Sequence, residues 1–127
     1  MTVLLAYDGR QQKVLDYAIE NARAYKTPLF IISCLNTKDP AEIEKGIPRL
    51  KESLEAARQK ALSKGVDART MVGAGDPAGE IVASAERIDA DTIILGHSDK
   101  TAIDRLLLGN VSEHVLRNAR CTVIFVH

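Results

Sequence analysis

Five short apolar runs, separated by longer amphipathic segments, limit most strongly what this chain can fold into. The runs cover residues 3–7, 29–35, 68–72, 92–95 and 122–126, and most of their residues are apolar or β-branched. Strands buried on both faces have this pattern, which is typical of a parallel sheet covered by helices. The chain is therefore predicted to have an α/β fold with an open, five-stranded parallel sheet.

The segments between these runs repeat apolar residues at intervals of three and four, as helices with one buried stripe do. These stripes lie within residues 14–25, 43–61, 81–88 and 111–119. About four helices therefore alternate with the five strands, and residues 1–127 are predicted to form a single, doubly wound domain.

Helix boundaries are marked by a few residues. Asp76, followed by proline, fits the N-cap of the third helix, and Gly65 fits the end of the second. Pro48 lies within the second helical pattern and lacks the N–H that a helix interior needs. Two alternatives follow: a kink near Gly46, or a helix that begins at Pro48 after a loop and a short turn over residues 36–47.

Composition narrows the function classes. A chain of 127 residues with 46% hydrophobic content can bury one core, and 17 basic residues balance 17 acidic ones. No basic field for nucleic acid and no apolar run of the ~18 residues that suggest a membrane span are present, and we expect no leader segment. Cys34 and Cys121 lack the spacing of a metal site, and the three histidines are dispersed. We expect a reduced, soluble, cytoplasmic protein without nucleic-acid or membrane binding and without a metal site built from cysteines and histidines.

The segment 92–115 carries the clearest chemical signal. An apolar strand ends at Gly96, a polar loop follows, and Gly109 stands just before the last helix. Glycines at a strand tip and at a helix N-terminus allow backbone N–H groups to approach an anion closely. This arrangement predicts a site for a nucleotide phosphate.

The two glycines also sit in the frame of a family signature, G-x-x-G-x(9)-G-[ST], found in ATP-binding universal stress proteins. The segments VLLAYDGR, GDPAGEIVASAERIDADTIILG and LLLGNVSEHVLRNARCTVIFV extend this resemblance over the whole chain. Asp99 replaces the second glycine of the signature, and Asn110 replaces its serine or threonine. The chain resembles a small, single-domain universal stress protein, which implies a Rossmann-like, adenine nucleotide alpha hydrolase-like fold with strand order 3-2-1-4-5.

The resemblance further implies a nucleotide site at the tips of strands one, two and four and at the last helix. Carried over by position, its candidate residues are Ala6, Tyr7, Asp8, Cys34, Leu95, Gly96, Ser98, Asp99, Gly109, Asn110, Val111 and Ser112. Asp8 would contact the adenosine part, and Cys34 would supply an apolar contact. Asp8 with Gly9 is also a common turn pair, which predicts a turn that caps the first helix.

Asp99 is expected to weaken ATP binding. A carboxylate ~4 to 5 Å from a phosphate would cost on the order of 1 to 4 kcal/mol, depending on exposure. Its side chain also blocks the close backbone approach that glycine allows. ATP is therefore expected to bind weakly or not at all, and AMP is expected to bind comparably to ATP. The cofactor alternatives are none, AMP or ATP, the nucleotides with or without Mg²⁺.

Three functions are compatible with these residues. The favoured hypothesis is a non-catalytic, dimeric stress-response or regulatory module, since no Ser-His-Asp order or paired acid and base stands out. A second hypothesis is an ATP- or AMP-binding module that switches partner recognition. The third is a divalent-metal-dependent phosphate enzyme that uses Asp8 and Asp99.

The last predicted strand suggests how a homodimer would form. Its residues are apolar on both alternating faces: Cys121, Thr122, Val123, Ile124, Phe125 and Val126. The strand order implied by the resemblance puts this uncharged strand at an edge, where pairing with its own copy would cover it.

Overall fold

The computed structural model describes residues 1–96 and 110–127. It contains five parallel strands in the order β3-β2-β1-β4-β5. The strands are β1 (Val3–Ala6), β2 (Leu29–Leu35), β3 (Ala68–Ala74), β4 (Thr92–Gly96) and β5 (Thr122–Val126). The predicted parallel sheet and its strand order are therefore confirmed.

Four helices connect these strands within the described residues. They are α1 (Gln12–Tyr25), α2 (Pro40–Ser63), α3 (Pro77–Arg87) and α4 (Asn110–Asn118). None of the helices that the structure describes is both long and apolar enough to cross a bilayer.

Two buried clusters, one on each face of the sheet, make up the core. Leu5 and its neighbours Ile31 and Ile94 pack with the apolar residues of α1 and α2. The preceding residue of β1, Leu4, packs instead with Ile93 and the apolar residues of α3 and α4. Because side chains alternate along a strand, the continuous apolar runs of the sequence supply both clusters.

The boundaries of α2 settle the question that Pro48 left open. Pro48 lies inside a helix that already begins at Pro40, so the alternative of a helix beginning at Pro48 is wrong. The backbone N–H of Ala41 donates to the Asp39 carboxylate at 3.2 Å, which caps the helix one residue before its first-turn proline. A good N-cap and Pro40 in the first turn favour helix formation eight residues earlier than Pro48.

The other predicted helix ends are confirmed. The Asp76 carboxylate accepts a hydrogen bond of 3.2 Å from the N–H of Gly79 at the start of α3. Gly65 follows the end of α2 with a φ of +81°, a backbone conformation that glycine adopts without strain.

Candidate functional site

The strand order creates a crevice between β1 and β4. From β1 the chain continues to β2 and β3 on one side, and then crosses to β4 and β5 on the other. Loops at the carboxyl ends of β1 and β4 therefore leave the sheet toward opposite faces, and such crevices commonly bind ligands. Ala6 and Leu95, the register partners at this point, lie at the carboxyl edge of the sheet.

Three candidate residues come together on one face of this edge. Ala6, Cys34 and Leu95 all pack with the cluster beneath α3 and α4. Leu95 is buried, whereas Ala6 and Cys34 are half-buried. We name these three residues the apolar edge. Their alternation and strand register give a small apolar surface that is partly open to solvent.

The first turns of α4 belong to the same side of the sheet. Val115 of this helix is fully buried in the cluster that contains the apolar edge, and Ser112 is also buried. Val111 is exposed. Asn110 is the first residue of α4, and Ser98, Asp99 and Gly109 lie outside the described residues.

Asp8 forms the predicted turn but does not cap α1. Its Oδ1 atom accepts a hydrogen bond of 2.8 Å from the N–H of Arg10, and Gly9 has a φ of +83°. The N-cap position of α1 is Gln11, whose side chain makes no capping bond. The turn ends before the helix begins, so the predicted capping role of Asp8 is wrong. Its side chain is exposed, and it follows Ala6 and Tyr7 in the chain.

Tyr7 points to the opposite face from the apolar edge. Its side chain is buried with α1 and α2, and its hydroxyl accepts a hydrogen bond of 2.8 Å from Nε2 of Gln12. Oε1 of Gln12 accepts in turn from Lys60 at 3.1 Å, and Lys60 pairs with Asp16 at 2.6 Å. Burial, followed by the charge of the adjacent Asp8, raises the pKa of Tyr7. We name Tyr7, Gln12, Lys60 and Asp16 the polar chain.

Gly96 has a packing role that needs no ligand. A Cβ at this position would lie 2.6 Å from Cγ2 of Val14 and would overlap the side-chain amide of Gln11. Because real Cβ atoms do not approach other atoms so closely, a larger residue at this position would displace Gln11 and Val14, and glycine lets α1 pack closely against the tip of β4. The sequence signature alone does not reveal this contact, since Gln11 is distant in sequence.

Glu80 is a residue near the edge that the sequence did not single out. The point that a Cβ on Gly73 would occupy lies 3.2 Å from Sγ of Cys34 and 3.3 Å from Oε2 of Glu80. Burial, then Glu80, then Asp76 raise the pKa of the Cys34 thiol from 9.0 to about 11. Cys34 is therefore a neutral thiol at physiological pH. The sequence feature that could have pointed to Glu80 is its position in the first helical turn after the Asp76 cap.

Metal binding has no support among the residues that the structure describes. No group of three or more His, Cys, Asp or Glu side chains in residues 1–96 and 110–127 could hold a metal ion. The proposed pairing of Asp8 with Asp99 involves a residue outside these ranges and stays a prediction.

The family is decided by the match of the whole chain, residues 1–127, to the model of the universal stress protein family. The chain belongs to this family. A universal stress protein of Methanocaldococcus jannaschii is 43% identical over 75 residues, 59% of this chain and 44% of the relative. Another from Methanothermobacter thermautotrophicus is 46% identical over 61 residues, 48% of this chain and 41% of the relative. The chain thus aligns with less than half the length of these two relatives.

Solved structures of the family share the fold. A universal stress protein from Archaeoglobus fulgidus superposes with a TM-score of 0.86 at 24% identity, covering 100% of this chain and 93% of that one. An Archaeoglobus fulgidus universal stress protein in complex with dAMP gives 0.80 at 26% identity, covering 100% and 98%. A universal stress protein in complex with cAMP gives 0.77 at 26% identity, covering 100% and 96%.

Proposed function

We propose that this universal stress protein binds an adenine mononucleotide at the carboxyl edge of its sheet. We further propose that the β- and γ-phosphates of ATP add no binding affinity. The observation that carries this proposal is the position of the apolar edge. Ala6, Cys34 and Leu95 lie on one face at the carboxyl ends of β1, β2 and β4, and Asp8, whose side chain is exposed, follows β1. An apolar surface with a few polar groups at its margin is the usual composition of a small-molecule site.

The two solved structures at 26% identity support the class of ligand. One is a complex with dAMP and the other with cAMP, each an adenine nucleotide with a single phosphate. In this chain, Asp99 replaces a glycine of the phosphate signature, and a carboxylate in place of that glycine would repel additional phosphates. The proposed ligand is therefore AMP or a close analogue, and Mg²⁺ has no assigned role.

Calorimetric titration with ATP and AMP tests the proposal. AMP is expected to bind the unmodified protein at least as tightly as ATP. A dissociation constant for ATP of about one micromolar or tighter, roughly −8 kcal/mol, would contradict it if AMP bound much more weakly. Mass spectrometry of nucleotide released from denatured, freshly purified protein would identify the natural ligand independently.

We also propose that the protein is a cytoplasmic homodimer. It would act by recognising a partner and would have no catalytic cycle. β5 lies at an edge of the sheet. Its central residues Val123, Ile124 and Phe125 are only half-buried. Antiparallel pairing of two copies would close into a two-fold dimer and cover an edge that otherwise favours aggregation.

Proline substitution tests the dimer. The N–H of Thr122 donates to the carbonyl of Asp91 before β4, so the N–H of the next residue, Val123, points away from β4. Val123→Pro removes this outward donor and is expected to abolish the dimer and lower solubility. A matched change, Thr70→Pro in the opposite edge strand β3, should lower stability but preserve the dimer. Light scattering coupled to size exclusion measures the mass. An unmodified chain that is a soluble monomer at tens of micromolar would refute the dimer.

A further inference from the structure

A carboxylate lies at the β3 side of the apolar edge. Gly73 is the register partner of Cys34, and the Cβ position of this glycine is within 3.3 Å of both Sγ of Cys34 and Oε2 of Glu80. Glu80 reaches this point from the first turn of α3, the helix that covers this face of the sheet. The absence of a side chain at Gly73 leaves room for both the thiol and the carboxylate at this point.

The hydrogen-bond acceptor that lies by the Cys34 thiol in this corner is the carboxylate of Glu80. The Cys34 thiol is neutral, because burial and the neighbouring carboxylates raise its pKa to about 11. Asp76 is engaged by the N–H of Gly79. Glu80 is half-buried, and within residues 1–96 and 110–127 its carboxylate has no hydrogen-bond or ion-pair partner. A half-buried carboxylate that can only accept hydrogen bonds favours a ligand that donates one.

The base of an adenine nucleotide offers that donor. Its flat, apolar faces match the neutral surface of Ala6 and Cys34, and its 6-amino group is the one donor on its pairing edge. We propose, as an extension of the function above, that Glu80 sets base specificity by accepting a hydrogen bond from the 6-amino group of adenine. In this arrangement the thiol of Cys34 contacts the face of the ring, and the carboxylate of Glu80 forms a hydrogen bond with its edge.

The experiment compares AMP with purine riboside 5′-monophosphate, which differs only in lacking the 6-amino group. The unmodified protein is expected to bind AMP about tenfold more tightly, the size of one lost hydrogen bond to a charged group. Glu80→Ala should bind both nucleotides equally, at the level of the analogue. Glu80→Gln keeps an acceptor oxygen and should keep a preference of about threefold or more.

Glu86→Ala is the matched control, because it removes the same charge from the exposed, last turn of α3. It should retain the tenfold preference. If Glu80→Ala retained that preference, or if the control lost it as well, the inference about Glu80 would be wrong while AMP binding stood. Circular dichroism verifies that each variant is folded. Should Glu80→Ala not fold, equal affinity of the unmodified protein for the two nucleotides is enough to overturn the inference.

The affinities of the unmodified protein distinguish failure of the proposed AMP binding from failure of the role of Glu80. If the unmodified protein bound neither nucleotide, both the proposed function and the role of Glu80 would be refuted. If it bound both nucleotides equally, only the role of Glu80 would be refuted.

Discussion

The two faces of the sheet differ most at its carboxyl edge. On the α1/α2 face, Tyr7 is buried and the polar chain connects its hydroxyl through Gln12 to Lys60 of α2. On the α3/α4 face, the neighbouring residue Ala6 is only half-buried, as is Cys34, and small side chains leave room. One face is closed by hydrogen bonds between its own helices, while the other retains an open apolar surface.

A single step along β1 separates these two environments. Ala6 and Tyr7 are adjacent in sequence, but strand alternation sends their side chains to opposite faces. Neighbouring residues of one family motif can therefore have different tasks. We interpret the α1/α2 face as the stabilising side of the edge and the α3/α4 face as the binding side.

The largest expected effect concerns the stability of the closed face. Leu54 of α2 is 2% exposed. Leu54→Ala should lower the free energy of unfolding by about 2 to 5 kcal/mol, because it removes buried methyl groups and leaves a cavity. Cys34→Ala, on the open face, should cost about 1 kcal/mol or less, since it removes one half-buried sulfur. Urea denaturation measures both, and equal losses would remove the distinction between the faces.

The contact between α1 and the tip of β4 gives the next effect. Gly96→Ala should cost about 1 to 3 kcal/mol, because the new methyl group meets Gln11 and Val14. Gln11→Ala removes one of these contacts, so the double variant should recover part of the loss. Thermal unfolding of the three variants measures this. A Gly96→Ala protein as stable as the unmodified one would show that α1 does not pack closely here.

The signature positions test the binding side. Replacing Asp99 with glycine and Asn110 with serine restores the family pattern. The double substitution should raise ATP affinity by at least about tenfold, or ~1.4 kcal/mol, while AMP affinity changes less. Titration calorimetry with both nucleotides measures this difference. Unchanged ATP binding in a natively folded variant would show that Asp99 is not the reason for weak phosphate binding.

The smallest effect is a difference in thiol reactivity. The pKa of Cys34 is raised to about 11, so its thiolate is scarce at pH 8. Because a thiolate of higher pKa is also more nucleophilic, alkylation by iodoacetamide should be only roughly tenfold slower than for an unperturbed thiol, and should accelerate as the pH rises toward 11. AMP should slow the reaction of Cys34 further, but not that of Cys121. Peptide mass spectrometry measures both sites, and equal protection would contradict binding at the apolar edge.

Much of the fold could be predicted because its signals are local. The apolar runs predict the strands, and the Asp76 cap predicts the start of α3. The same aspartate-proline pair at Asp39 marks the start of α2, whereas Pro48 in the helix interior is typical of a helix start or a kink. A helix can accommodate an interior proline when its cap and tertiary contacts stabilise the rest.

The site could be predicted only in part, because its contacts are between residues distant in sequence. The family resemblance names Ala6, Cys34 and Leu95, and strand alternation with the register explains why they share a face. The approach of Gln11 to Gly96 and that of Glu80 to Cys34 depend on how helices pack on the sheet. No local pattern predicts those distances.

An AMP titration followed by amide chemical shifts tests the central claim most directly. With ¹⁵N-labelled protein, the N–H signals of Ala6, Cys34 and Leu95 are expected to shift in a saturable manner. The signals of Leu54, Ala57 and Ala61, which lie in the closed cluster beneath α2, should stay in place. Saturable shifts centred on α2 instead, with the apolar edge unaffected, would contradict the assignment of binding to the open face.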